Sequence, residues 1–173
     1  DPIRERLVMS LSADLGPERN LLTESPDHAR VIHLESPFLF PHQLESLKSI
    51  DDEYPSRVLD ITWPASEGAA GMQAAVDRLC TESEQAVADG IRLIVLSDRA
   101  LDHKHVAVPA LIATGAVHQH LIRNEKRMEV SLILETGEAR DTHQMACLFG
   151  YGITAICPYL ACQTVAEIYE KDK

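Results

Sequence analysis

The chain has 173 residues, of which 45% are hydrophobic and 25% are charged, and its formal net charge at pH 7 is −11. This length and composition are those of a folded globular protein, not of a disordered one. The chain has 27 acidic and 16 basic residues, and its basic residues form no stripe along the sequence. Such a chain would repel a phosphate backbone, so we expect no nucleic acid partner.

The first 57 residues have the least regular pattern. The spacing of apolar residues predicts an amphipathic helix that ends at Gly16 and Pro17 and contains Ile3, Leu7, Val8 and Leu11. Residues 31–34 fit either a helical turn or a short strand. A second short helix is predicted after Pro41, with its apolar face formed by Leu44, Leu47 and Ile50. We expect residues 1–57 to form an arm of short helices that packs on the rest of the chain.

From residue 57 onward, strands and helices alternate. Apolar runs predict four strands at residues 58–63, 93–98, 130–135 and 153–157. A helix is predicted after each strand: one that ends at Gly90, one from Pro109 to about Arg123, one over residues 138–149 that Gly150 ends, and one over residues 160–170. The polar loop at residues 102–105 is predicted to precede the second of these helices. Nearly continuous apolar strands in this order indicate a parallel sheet covered by helices.

The spacing of the strands indicates part of a barrel. Their starts at residues 58, 93, 130 and 153 lie 35, 37 and 23 residues apart, near the roughly 30 residues of each βα unit in a TIM barrel. The fold class predicted is α/β: an incomplete TIM-barrel-like domain with about four parallel strands in residues 58–173, plus the irregular helical arm. An unclosed parallel sheet leaves edge strands that need cover, which a larger protein can supply.

Polar residues stand where the predicted strands end. Ser97 and Asp98 follow the second strand, Glu135 and Thr136 the third, and Cys157 the end of the fourth. Ligands of parallel α/β folds bind at such carboxyl ends. The same residue types also cap helices and shape loops in every βα unit, and the sequence alone favours that structural role.

Histidine and cysteine spacing predicts no metal site. His143 and Cys147 are four residues apart on a predicted helix and form a workable pair of ligands, but no local motif supplies a third. His118 and His120 point to opposite sides of a helix. The spacing from Cys157 to Cys162 resembles the start of an iron-sulfur motif, but position 165 is valine where the third cysteine is required.

The remaining patterns exclude several other classes of protein. Gly150 and Gly152 follow a predicted helix and precede a strand, which indicates a tight turn and not a phosphate loop. The longest apolar runs are much shorter than the roughly 20 residues of a membrane span. No secretory signal is visible in the sequence, and the spacing of its four cysteines disfavours a disulfide framework, so we expect the cytoplasm or a plastid stroma.

Several long segments together resemble the central domain of the glutamate synthase large (alpha) chain. The segments that carry the resemblance are GPERNLL (16–22), LDITWP (59–64), LSDRAL (96–101), PALIATGAVHQHLIR (109–123) and LILETGEARDTHQMACLFGYGITAICPYLA (132–161). They occur in the family's order and at matching spacings, and they cover nearly the whole chain.

The resemblance implies a connector without catalytic, cofactor-binding or metal-binding residues of its own. In that family the central domain joins a glutamine amidotransferase domain to an FMN and iron-sulfur synthase barrel, and ammonia passes from the first to the second. The whole enzyme is an NADPH- or ferredoxin-dependent oxidoreductase. These two domains of the same parent chain are therefore the implied partners. The candidate interdomain or channel contacts are Asp98, Arg99, Glu135, Glu138, Arg140 and His143. The charges of Glu135, Glu138 and Arg140 are equally compatible with a solvated start of a helix.

A second hypothesis needs no parent chain. A freestanding half-barrel enzyme or small-ligand-binding module would use the strand ends directly, with Asp98, Glu135 and His143 as its acid, base or binding groups.

Overall fold

The computed structural model of the chain describes residues 9–20, 22–50 and 53–171. The α-helices in these residues are α1 Pro41–Lys48, α2 Gly68–Ala88, α3 Ala110–Arg123, α4 Thr142–Gly150 and α5 Tyr159–Lys171. The strands are β1 Ala13–Leu15, β2 Ile32–Leu34, β3 Ser56–Asp60, β4 Thr62–Pro64, β5 Leu93–Ser97, β6 His105–Ala107, β7 Ser131–Glu135 and β8 Ala155–Cys157. No helix in the described ranges is long and apolar enough to cross a membrane.

The central sheet has four parallel strands in the order β3-β5-β7-β8. The strands of this sheet are thus neighbours in the order in which they occur along the chain, as is common for consecutive elements. The sheet does not close on itself, and the prediction of an incomplete barrel-like α/β domain is confirmed. The helices and strands predicted from residue 57 onward are also present with shifted bounds, except that the predicted strand 58–63 is divided into two.

Both faces of the sheet are buried, which explains the continuous apolar runs. On one face, strand residues such as Ile94, Leu96, Leu132 and Leu134 pack against the helices. The other face is covered by the N-terminal part of the chain. Its buried residues from that part are Leu15, Leu39, Leu44, Leu47 and Tyr54, and its strand residues are Leu93, Val95, Ile133, Ala155 and Cys157.

The N-terminal part also covers one edge of the sheet. The Ile156 N–H donates to the Pro37 carbonyl oxygen at 2.8 Å, and the Leu39 N–H donates to the Ile156 carbonyl oxygen at 2.8 Å. Phe38 therefore pairs with β8 in parallel, like a very short fifth strand. At the opposite edge, Val58 of β3 is 48% exposed.

The long helix α2 is amphipathic. It buries Ala75, Leu79, Ala86 and Val87 against the sheet at helical spacing. It ends as expected at a glycine, since Gly90 has a positive φ of 81°.

Strand 58–63 was predicted as one element, and this prediction was wrong. At Ile61 the chain leaves the parallel sheet, and β4 pairs antiparallel with β6 outside it. Ile61 holds this junction, because its N–H donates to the Ser97 carbonyl oxygen at 3.0 Å and its carbonyl accepts from the Val108 N–H at 2.9 Å. The predicted loop at residues 102–105 consequently runs into a strand at His105.

The third predicted helix starts later than expected. Helix α4 begins at Thr142, with Asp141 as its N-cap accepting from the Gln144 N–H at 2.9 Å. The Glu138 side chain lies elsewhere: its Oε2 accepts from the Ala110 N–H at 2.7 Å, at the start of α3. Glu138 thus stabilises the positive end of a neighbouring helix, not of its own.

The predicted first helix lies mostly outside the described residues, which do not include Ile3, Leu7 and Val8. Leu11 is 66% exposed and belongs to no helix. Strand β1 follows it and pairs antiparallel with β2, so the strand alternative for residues 31–34 is the correct one. Helix α1 agrees with the prediction, except that Ile50 lies just beyond its end.

Candidate functional site

The carboxyl ends of β5 and β7 bring four predicted strand-end residues together. Ser97 and Glu135 are in register on adjacent strands. Asp98 and Thr136 follow them, and the Asp98 N–H donates to the Glu135 carbonyl oxygen at 3.2 Å. All four residues are buried, with Asp98 4% and Glu135 3% exposed. Two carboxylates are therefore buried side by side, which requires compensation.

The Glu135 carboxylate receives three side-chain donors. Oε2 accepts from Ser97 Oγ at 2.8 Å and from Lys48 Nζ at 3.3 Å, and Oε1 accepts from Arg99 Nε at 3.0 Å. Burial would raise the pKa of Glu135, but the hydrogen bonds from Ser97 and Arg99 and the charge of Lys48 outweigh burial and hold the pKa below its ordinary value. Glu135 is therefore ionised at neutral pH.

Lys48 is the member of this cluster that sequence reasoning missed. It lies in the last turn of α1 and also contacts Glu45 Oε1 at 2.9 Å. Burial would lower its pKa, but the hydrogen bond to Glu45 and the nearby Glu135 raise it above the ordinary value. Lys48 and Glu135 are 87 residues apart in sequence. The only local signal was a basic residue at the carboxyl end of a helix.

The Asp98 side chain holds the loop that follows β7. Its Oδ2 accepts from Thr136 Oγ1 at 2.7 Å and from the Gly137 N–H at 2.9 Å. Its Oδ1 has no hydrogen-bond partner among the described residues. Burial first, and then the neighbouring Asp98, raise the pKa of Tyr159 to about 12. The Tyr159 ring lies under the Arg99 guanidinium, with the Cζ atom 3.7 Å from the ring centroid.

The other three candidate contacts lie away from this cluster. Glu138 and His143 line a separate cavity of about 230 Å³ between α3 and α4. In the same cavity, His143 Nε2 and Cys147 Sγ are 3.7 Å apart, so the predicted pair does meet on one face of α4. Arg140 is exposed, and its N–H donates to Gln144 Oε1 at 2.8 Å. The structure therefore divides the six candidate residues into separate groups.

The geometry of the described residues does not support a metal site. No three histidine, cysteine, aspartate or glutamate residues there are grouped so as to hold an ion. His118 accepts from Arg127 Nε at 2.9 Å, whereas His120 contacts Glu84 Oε2 at 3.0 Å. All four cysteines are free thiols. Burial raises the pKa of Cys157 to about 12, so this thiol is a poor nucleophile.

The strand-end cluster is suited to holding side chains in place. An ionised glutamate with three donors has no proton to give at neutral pH, and its oxygens are occupied. Asp98 is bound by the loop that follows β7, and among the described residues neither carboxylate has a hydrogen bond with His143. The geometry thus fixes Arg99 at the surface, and it does not assemble an acid and a base around a common space.

The whole chain, residues 1–173, matches the family model described as the glutamate synthase central domain. It is 46% identical over 170 residues to a chloroplastic ferredoxin-dependent glutamate synthase of Oryza sativa subsp. japonica, covering 96% of this chain and 10% of that protein. It is 41% identical over 175 residues to an NADH glutamate synthase of Schizosaccharomyces pombe, covering 99% of this chain and 8% of that protein. It is 37% identical over 171 residues to the NADPH glutamate synthase large chain of Azospirillum brasilense, covering 99% of this chain and 11% of that protein. The chain thus spans about a tenth of these relatives' length.

Proposed function

The chain belongs to the glutamate synthase central domain family, and from that premise we propose that it is the noncatalytic connector of a glutamate synthase large chain. It holds a glutamine amidotransferase domain and an FMN and iron-sulfur synthase domain at a fixed separation, and it contributes to the path of ammonia between them. The N-terminal arm of residues 1–57 and the core of residues 58–173 act in this as one domain.

The relatives support a role within a larger oxidoreductase of glutamate biosynthesis. They are glutamate synthases named for NADH, NADPH or ferredoxin, and each is about ten times as long as the matched segment. We place FMN, the iron-sulfur cluster and the catalytic residues in the other domains of the parent chain. The parent protein acts in the cytoplasm, or in the plastid stroma in a photosynthetic eukaryote.

The observation that carries the proposal is the bonding of Glu135 in the strand-end cluster. Glu135 is buried, and its carboxylate accepts from three side chains. Arg99, which it holds in place, is 48% exposed. A buried charge that fixes an exposed one is expected at a contact surface, because holding a side chain in place beforehand lowers the cost of docking. On this basis we assign Arg99 to an interdomain or channel contact, and the buried Asp98 and Glu135 to the cluster that supports it. Glu138, Arg140 and His143 are exposed away from the cluster, and we assign them to such contacts from the family membership.

Charge reversal at the two candidate arginines, Arg99 and Arg140, should uncouple the use of glutamine from glutamate formation in the parent enzyme. In the full-length chain, the double variant Arg99→Glu/Arg140→Glu is expected to lower glutamine-dependent glutamate formation about tenfold or more, because like charges at a docked surface cost several kcal/mol. Glutamate formation from added ammonia should change less than about twofold. The measurement is the ratio of the two rates at saturating substrate.

The matched control is Arg30→Glu, which reverses an arginine whose side chain is 69% exposed and which forms an ion pair with Asp27 at 3.5 Å. It should leave both rates unchanged. Equal loss of the two rates in the double variant, or loss of neither, would argue against a connector role for this surface.

A further inference from the structure

A groove of about 430 Å³ lies beside the strand-end cluster, between the start of α1 and the helix α5. Its lining combines apolar surface with one strong cation, and its main members are Phe40, Pro41, Arg99, Tyr159, Cys162 and Ala166. None of the described residues that line it is an aspartate or a glutamate. Arg99 is therefore the one formally charged side chain among the described residues that line the groove.

Arg99 is held ready to bind a further partner. Its Nε donates to Glu135 Oε1 at 3.0 Å, and its guanidinium lies 3.7 Å above the centre of the Tyr159 ring. Its two terminal nitrogens have no acceptor in the part of the chain that the structure describes. Glu135 uses one of the five N–H groups and is shared with Ser97 and Lys48, so it neutralises only part of the guanidinium charge. A planar guanidinium with free outer donors fits a carboxylate in bidentate geometry.

Exposed apolar side chains lie at both sides of the groove, and on α5 they extend beyond its lining. Phe40 is 56% exposed at the start of α1, and Leu160 and Val165 of α5 are 43% and 67% exposed. Helix α5 contributes no buried residue within the described chain. A small carboxylate would leave this surrounding surface uncovered. A protein segment would cover it, since protein interfaces combine an anchoring charge with an apolar surround.

We propose that this groove binds a protein segment that places an aspartate or glutamate carboxylate on the Arg99 terminal nitrogens, with apolar neighbours against Phe40 and α5. The inference rests on the proposed function, because the segment then belongs to another domain of the parent chain. It adds the chemistry of the contact, which is an acidic residue flanked by apolar ones.

The test is site-specific photocrosslinking in the full-length chain. A benzophenone amino acid replaces Gln163, an exposed residue that lines the groove. Mass spectrometry of the irradiated protein should map the crosslink to a segment outside residues 1–173 with an acidic residue near the attachment point. Arg99→Gln should lower the crosslink yield about tenfold, since truncating an anchoring arginine typically costs more than 1 kcal/mol.

Two further variants separate docking from folding. Ala166→Trp fills the groove and leaves Arg99 and Glu135 unsubstituted, and it should lower the yield as Arg99→Gln does. Arg57→Gln removes an arginine of similar exposure, 35% for its side chain, which pairs with Asp89 at 2.8 Å and does not line the groove. It should leave the yield unchanged.

A crosslink to another domain that persists in Arg99→Gln and Ala166→Trp overturns the inference and leaves the connector proposal standing. A mapped segment without an acidic residue does the same. If position 163 and a second reporter at His143 both crosslink only within residues 1–173, the inference and the connector proposal fail together.

Discussion

Replacement of Glu135 by alanine is expected to lower the free energy of unfolding of the 173-residue protein by about 3–5 kcal/mol, the usual cost of removing one partner from a buried ion pair. Glu135 is 3% exposed and accepts from Ser97, Arg99 and Lys48. Without its carboxylate, the Lys48 ammonium, whose side chain is 19% exposed, keeps a single ion pair among the described residues, with the exposed Glu45. Equilibrium unfolding in urea measures the change.

Glu82→Ala is the matched control. Glu82 pairs with Arg78 at 3.3 Å on the surface of α2, and the two side chains are 41% and 38% exposed. Surface pairs of this kind contribute about 0–1 kcal/mol, so the control should lose little stability. Equal losses in the two variants would show that the strand-end cluster is no more than a surface ion pair.

The pH dependence gives the same prediction a second readout. Because its donors hold the pKa of Glu135 below the ordinary value, the stabilisation is fully present above the unfolded-state pKa of about 4.3 and is lost as the pH falls through the lower folded-state pKa. The stability difference between wild type and Glu135→Gln should be constant from about pH 7 to pH 5 and shrink below pH 4. A difference that grows on acidification would contradict the assigned charge state.

Gly152→Ala is expected to cost about 3 kcal/mol or more, because two effects add. Gly152 has a φ of +109°, which penalises any side chain, and an added Cβ would run into the imidazole of His118. That ring cannot easily move, because Arg127 Nε donates to its Nδ1 at 2.9 Å while Arg127 Nη2 donates to the Gly152 carbonyl oxygen at 2.8 Å. Burial, with a smaller contribution from the Arg127 charge, lowers the pKa of His118 and keeps it a neutral acceptor.

Gly90→Ala isolates the backbone effect. Gly90 has a φ of +81°, but no atom lies within 4 Å of the position that its Cβ would occupy. Its replacement should therefore cost about 1–2 kcal/mol, the conformational penalty alone. Thermal and urea unfolding of both variants measure the difference, and equal losses would mean that contact with His118 contributes nothing.

The parts of the fold that the sequence predicts correctly depend on local patterns. A buried parallel strand such as Leu93–Ser97 is a continuous apolar run, and α2 repeats its apolar residues at helical spacing. The meeting of Asp98 and Glu135 was also predictable, because parallel strands end at a common edge.

The errors occur where a distant residue decides the local structure. Glu138 bonds to the start of α3, so the helix predicted from residue 138 begins four residues later, at Thr142. Strand β6 has three residues and exists only through its pairing with β4. Lys48 reaches Glu135 across 87 residues of sequence. Local patterns carry no information about such contacts, which depend on the packed fold.

The central claim is that this chain positions the catalytic domains of a glutamate synthase and performs no chemistry itself. The most direct measurement is made on the purified 173-residue protein, once a cooperative unfolding transition shows that it is folded. After incubation with FMN and removal of excess flavin, we predict no bound flavin absorbance and no glutamate formation from glutamine, 2-oxoglutarate and reductant. Stoichiometric flavin, or sustained turnover by the folded protein, would contradict the account.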